Sequence, residues 1–107
     1  MDALTGKVVG QTPIGSGVDA NWFDPVAKLA FSSNGEGTVT IANVSDSGKF
    51  SVAQTLTTEP RARTMALDTA THRIYLPSAE FKSASTPTAR PQPVPGTFKI
   101  LVYGPAQ

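Results

Sequence analysis

The side chains that can carry chemistry are few in this chain of 107 residues, and they are not grouped as catalysis requires. There is one histidine, His72, and no cysteine, so neither thiolates nor a set of imidazoles can form a zinc site. Ser32 and Ser33 lack the Gly-x-Ser-x-Gly pattern that exposes an activated serine. The sequence therefore predicts no catalytic residue, no metal site and no cofactor.

Two aspartates, Asp24 and Asp68, lie about 44 residues apart, and each precedes a short polar or proline-containing segment. Aspartate at such a position accepts hydrogen bonds from the backbone amides of a turn. A general acid and base pair is the alternative. We interpret both aspartates as turn formers, and His72 as a solvated residue of the second turn.

The surroundings of these aspartates are self-similar: residues 18–31 recur in altered form as residues 62–75, and both copies read as strand, turn, strand. A period of about 44 residues lies in the range of a four-stranded propeller blade. Every apolar segment is short and bounded by Gly, Pro, Asn or Asp, which excludes long helices. The predicted fold class is all-β.

The predicted strands divide the chain into an isolated strand and two units. The strand covers residues 7–12, and the first unit has four strands over residues 18–56. The second unit covers residues 62–103 and has three strands, residues 63–67, 73–76 and 98–103, around a proline-rich insert, 78–96. The turn before Lys7 is similar in sequence to the turn before Lys49, where the last strand of the first unit begins. We therefore expect residues 7–12 to complete the second unit by pairing with residues 98–103, in their own chain or in a neighbour.

After Asp24-Pro25, a short strand runs from Lys28 to Ser33, and the loop Asn34-Gly35-Glu36-Gly37 leads to Thr38-Val39-Thr40-Ile41. In this pattern the chain resembles the YVTN family of β-propeller repeats. The resemblance implies four-stranded antiparallel blades, of which family members carry about seven. It implies a fold rather than a function, because such propellers support many unrelated tasks.

Two blades cannot close a ring, and an open pair would leave apolar sheet faces and unpaired edges exposed. We therefore expect copies of the chain to associate into a closed homo-oligomer. Three chains giving six blades are preferred, since the inner strands carry small residues that suit a narrow channel; four chains giving eight blades are the alternative.

Propeller ligands usually bind at the channel mouth, and here the loops expected at the mouth carry six polar residues: Asp19, Asn34, Glu36, Arg61, Arg63 and Glu80. Asp19 and Arg63 occupy the same repeat position, so carboxylate and guanidinium groups would alternate around the ring. A ligand-binding rim is one interpretation, and an ion-pair ring that fixes the blades is the other. Trp22 is expected to pack between blades, and the insert 78–96 is a lid, a polyproline ligand or a solvated loop.

The leading interpretation is a non-enzymatic, self-assembling propeller module that serves as a scaffold or binds a ligand at the channel mouth. The alternatives are an enzyme of the propeller lactonase or lyase type, and a terminal fragment of a longer propeller. A net charge of +1 gives no support for nucleic-acid or membrane partners. The sequence does not specify a compartment.

Overall fold

The structure, a computed structural model, describes residues 1–62, 64–81 and 92–105. These residues contain seven β-strands and no helix, which confirms the all-β prediction. The strands form an antiparallel four-stranded sheet and an antiparallel three-stranded sheet, each in sequential order. Their bounds are β1 Val18–Asp24, β2 Leu29–Asn34, β3 Thr38–Val44, β4 Phe50–Thr57, β5 Ala66–Asp68, β6 Arg73–Ser78 and β7 Lys99–Tyr103.

The first turn of each sheet is built around its aspartate, as predicted. Asp24 Oδ1 accepts hydrogen bonds from the amides of Val26 (3.0 Å) and Ala27 (3.1 Å). Asp68 accepts one from the amide of Ala70 (2.9 Å). The last residue of each turn, just before the next strand, has a positive φ: 54° at Lys28 and 59° at His72. The two turns therefore share one backbone design.

The three-stranded sheet differs from prediction at two strand ends. β5 was predicted over residues 63–67 but begins at Ala66, because Thr64 has a φ of 59° and is not extended. β6 was predicted to end at Leu76 but continues through Pro77, which lies opposite Ile100 of β7. A proline is tolerated there because β5 begins too late to place a residue opposite it.

Part of the proline-rich insert lies within the described residues. Its two ends run antiparallel, with Phe81 opposite Pro93 and the amide of Val94 donating to the carbonyl of Glu80 at 2.7 Å. Most of the insert, together with Arg63, lies outside the described residues. The three interpretations of the insert remain predictions.

Residues 7–12 do not form a strand, and the predicted pairing with residues 98–103 is not made within this chain. The segment that follows is held at the four-stranded sheet, because the amide of Gly35 donates to the carbonyl of Gly17 (2.7 Å) and the amide of Gly15 to Thr40 Oγ1 (3.2 Å). Gly10 lies against Gly48, too close for a side chain. The segment therefore runs beside β4, and β7 is left as an edge.

The core lies between the two sheets, which pack face to face. The four-stranded sheet contributes Phe31 and Val39, and the other unit contributes Ala62, Met65, Ile74 and Leu76. Val39 and Leu76 are fully buried. Each such aliphatic side chain adds about 2 kcal/mol to the free energy of unfolding through burial. β1 and β5 are neighbours, so the two sheets are joined along their first strands as well.

Candidate functional site

The loops predicted to form a binding rim meet at one end of the two sheets. The amide of Arg61 donates to the carbonyl of Gly35 (2.9 Å), and the amide of Thr58 donates to the carbonyl of Gly37 (2.7 Å). The β4–β5 loop is thereby joined to the β2–β3 loop, which is itself joined to the segment before β1 through Gly17. This end of the molecule is therefore a surface formed by loops from both sheets.

Three of the predicted rim residues each hold a loop. The carboxylate of Asp19 accepts a hydrogen bond from the amide of Thr64 at 2.6 Å and so supports its left-handed backbone. The carboxylate of Glu36 accepts one from the amide of Ser16. The guanidinium of Arg61 lies 5.3 Å from the centre of the Phe81 ring, a cation–π distance. These partners position the loops, and the side chains remain at the surface.

The other predicted rim residues lie in different surroundings. Asn34 is fully buried, and its side-chain amide donates to Oγ1 of Thr38 and of Thr40, each at 3.1 Å. Its polar atoms are therefore used inside the β2–β3 hairpin. Glu80 is exposed, and its amide donates to Thr97 Oγ1 (2.9 Å). Since Arg63 lies outside the described residues, its alternation with Asp19 stays a prediction.

His72 lies in the turn between β5 and β6, as predicted, but its side chain is only 32% exposed and is not simply solvated. Its Nδ1 forms a hydrogen bond with Oδ2 of Asp24, whose side chain is 0% exposed. The hydrogen bond from His72 lowers the pKa of Asp24, and the amides of Ala27 and Val26 act in the same direction, whereas burial opposes them. One carboxylate thus caps its own turn and ties the four-stranded sheet to the turn between β5 and β6. No local sequence signal joins these two residues.

A second cluster ties the β4–β5 loop to the three-stranded sheet. Glu59 forms an ion pair with Lys99 at 2.6 Å and accepts a hydrogen bond from the hydroxyl of Ser78 at 2.7 Å. The hydrogen bond from Lys99, followed by that from Ser78, lowers the pKa of Glu59, and the same pairing raises the pKa of Lys99. The cluster fixes β6 and β7 relative to the preceding sheet.

A largely apolar cavity of about 480 Å³ lies between β4 and β7, beside the edge of the three-stranded sheet. His72, Gln54 and Tyr103 are its polar or amphipathic lining residues. The apolar and backbone lining comes from Ala27, Leu29, Phe31, Ile41, Ala53, Leu56, Ile74, Gly104 and Pro105.

A second apolar cavity, also of about 480 Å³, lies on the opposite face of the four-stranded sheet. Phe23, Ala30, Ala42, Val44 and Phe50 line it, and Thr12 and Ile14 pass over it. These sheet residues alternate with those that face the core, as the pleat of a strand requires. This face is therefore apolar and only partly covered.

Trp22 was predicted to pack between the repeats, and it does reach across them. Its indole N–H donates to the carbonyl of Met65, but the residue is 44% exposed. It therefore lies at the border of the contact rather than inside it.

Among the described residues, no group of three or more histidine, aspartate or glutamate side chains is placed to hold a metal ion. In the same part of the chain, no helix is long and apolar enough to span a membrane. Comparison with protein-family models, with curated proteins and with solved structures found no significant match.

Proposed function

We propose that the chain is a two-bladed β-propeller module that docks head to tail with further copies to form a closed ring. In this proposal the two sheets are consecutive blades, in line with the resemblance to YVTN repeats. The observation that carries the proposal is that each sheet has two unlike apolar faces. One face of each sheet is buried in the chain, and the other is uncovered in the three-stranded sheet and only partly covered in the four-stranded sheet.

The faces can be named from the contact inside the chain. The front face of the four-stranded sheet contains Phe31, Val39 and Ile41 and packs on the back face of the three-stranded sheet, which contains Ile74 and Leu76. The strand pairings then align the repeats. Trp22 and Ala66 are equivalent positions of the repeat. Trp22 lies opposite Phe31 and Ala66 lies opposite Tyr75, so Phe31 corresponds to Tyr75.

The same alignment extends to the third strand of each sheet. Ile41 lies opposite Phe31, and Val102 lies opposite Tyr75, so Ile41 corresponds to Val102 and Val39 to Ile100. The front face of the three-stranded sheet therefore repeats the face that is buried in the first sheet. It is uncovered in the single chain, where Ile100 is 49% and Val102 is 51% exposed.

The back face of the four-stranded sheet is the matching surface. Its residues Ala30 and Ala42 correspond to Ile74 and Tyr103, which lie at the contact inside the chain. A second copy can therefore place its front face on this back face and repeat the internal contact. A contact between unlike faces either closes into a ring or continues as a filament. We propose closure with three copies and six blades, with four copies and eight blades as the alternative.

Within such a ring, the loop end that carries Asp19, Glu36, Arg61 and Glu80 forms the rim of the channel mouth. The exposed carboxylates and guanidinium there support a site for a small polar ligand. The module is thus proposed to act as a scaffold or binding protein rather than as an enzyme.

Light scattering on a size-exclusion column tests the assembly. We expect a molar mass of three times the 11.2 kDa of one chain that does not change over a wide range of concentration. A mass that grows with concentration indicates a filament, and a monomer at micromolar concentration overturns the proposal.

A matched pair of variants tests the surface. Val102→Glu places a charge on the free front face and is expected to reduce the mass to that of one chain without changing the circular dichroism spectrum. Val26→Glu is the control, because Val26 is 74% exposed. Its repeat counterpart, Ala70, stays exposed when the two sheets pack inside the chain, so Val26 is expected to stay exposed when two copies pack in the same way. If both variants assemble equally well, the front face is not the interface.

A further inference from the structure

We infer that residues 7–12 of each copy form the fourth strand of the neighbouring copy's three-stranded sheet, beside β7. This inference rests on the proposed head-to-tail assembly and names the segment that is exchanged. It accounts for three features of the described residues: an unpaired strand edge, an apolar gap next to it, and a strand-initiating turn that no strand follows.

The edge and the gap adjoin one another. β7 is the last strand of its sheet, so one side of its backbone has no strand partner among the described residues. The cavity of about 480 Å³ lies between this edge and the front face of β4, where Ala53, Gln54 and Leu56 line it. An extended segment placed there gains backbone hydrogen bonds from β7 and covers apolar surface on β4.

The turn before residues 7–12 is one residue longer than the turn that starts β4, but both are closed by a pair of backbone hydrogen bonds between their ends. The amide of Asp2 donates to the carbonyl of Lys7 and the amide of Gly6 to the carbonyl of Asp2, both at 2.8 Å. Before β4, the amide of Ser45 donates to Lys49 and the amide of Gly48 to Ser45, both at 2.9 Å. Both glycines have positive φ, 72° and 83°.

The segment after the turn has the composition of a strand but not its pairing. Residues 7–12 read Lys-Val-Val-Gly-Gln-Thr, and Val8 is 69% exposed while Val9 is 43% exposed. Exposed β-branched residues next to a strand-initiating turn indicate a strand whose partner lies elsewhere.

The order of elements along the chain specifies the partner. β4 belongs to the four-stranded sheet and leads directly into β5 of the following sheet. Residues 7–12 lead into β1 in the same way, so they belong to the sheet that precedes β1. In the head-to-tail ring, that sheet is the three-stranded sheet of the neighbouring copy. Moving the segment there also uncovers the back face of its own four-stranded sheet, on which the neighbour docks.

The register follows from the β3–β4 pairing. Ala42 lies opposite Val52, Ala42 corresponds to Tyr103, and the matching turns align Val52 with Gly10. Gly10 is then opposite Tyr103 of the neighbour. Because the β3–β4 pairing skips Ala53 between these positions, Thr12 is the residue opposite Val102. Since the chain contains no cysteine, this pair can be tested by disulfide trapping.

The experiment mixes two single-cysteine chains, Thr12→Cys and Val102→Cys, under mild oxidation, and covalent dimers are detected on a non-reducing gel. Because strand exchange holds the two thiols at a high local concentration, we expect about tenfold more covalent dimer in the mixture than in either chain alone. A mixture of Val26→Cys with Val102→Cys serves as the control and should give no such excess.

The outcomes separate this inference from the proposed function. If the mixture gives no excess dimer while light scattering still finds the oligomer, strand exchange is overturned and the ring stands. If the chain carrying both cysteines forms a disulfide only within itself, the segment pairs in its own chain and the inference is also wrong. If the unmodified chain is a monomer, both proposals fail.

Discussion

At the scale of single residues, Asp24 shows how one buried side chain joins local structure to packing. Oδ1 caps the turn after β1, and Oδ2 binds His72 of the other sheet. The first role was predictable from the Asp-Pro sequence, because turn capping is local. The second was not, since it depends on which sheet faces meet, and nothing near Asp24 or His72 in sequence encodes that.

Acid titration provides a test of this contact. The folded state lowers the pKa of Asp24 below its ordinary value of 3.8, chiefly through the hydrogen bond from His72. The unfolded chain therefore binds the proton more readily, so the stabilisation from this group is present above about pH 4 and is lost as the pH falls through the folded-state value. We expect the free energy of unfolding, measured in urea between pH 6 and about pH 3, to fall on acidification.

Asp24→Asn should reduce that pH dependence and lower stability at pH 6, because it removes the charged partner of His72. Asp68→Asn is the matched control, since Asp68 caps an equivalent turn and its described hydrogen bonds remain within that turn. Both changes are made in the Val102→Glu chain, in which Asp68 has no neighbouring copy to contact. Equal losses of stability in the two variants at pH 6 would show that the contact with His72 adds nothing to turn capping.

At the scale of elements, the sequence was sufficient where pairing is local and insufficient where it is not. The strands of residues 18–57 follow one another through short turns marked by Asp24 and by the Gly35 to Gly37 loop, so their order was predictable. β5 is shorter than predicted because Thr64 has a left-handed backbone that Asp19 supports from another strand. Residues 7–12 have the composition of a strand, but a strand must pair with the free edge of a sheet. The local sequence does not indicate which sheet provides that edge.

The contact between the two sheets can be tested at its centre. Leu76 of β6 is fully buried against the four-stranded sheet. Leu76→Ala removes its packing and leaves a cavity, so we expect a loss of about 2 to 5 kcal/mol in the free energy of unfolding. Val26→Ala, at a site that is 74% exposed, should change stability by less than about 0.5 kcal/mol. A small loss at Leu76, measured by urea denaturation, would mean that the two sheets do not share one core.

At the scale of the whole molecule, the repeat predicts a charge contact between copies. His72 and Lys28 occupy the same turn position, with φ of 59° and 54°. Inside the chain, Asp24 of one sheet meets His72 of the next. Under the proposed assembly, Asp68 of one copy then meets Lys28 of the following copy. In the single chain Lys28 instead pairs with Asp46 at the surface, an exposed pair of little energetic weight.

Charge reversal with rescue tests this contact and, through it, the direction of the ring. Asp68→Lys should weaken assembly by placing two cations together, and adding Lys28→Asp in the same chain should restore it, because every interface then carries the pair in reverse. Asp68→Asn separates the effect of charge from that of the turn cap, and light scattering across a dilution series measures each midpoint. If the reversed pair assembles no better than Asp68→Lys alone, the copies do not meet front face to back face in the register of the internal contact.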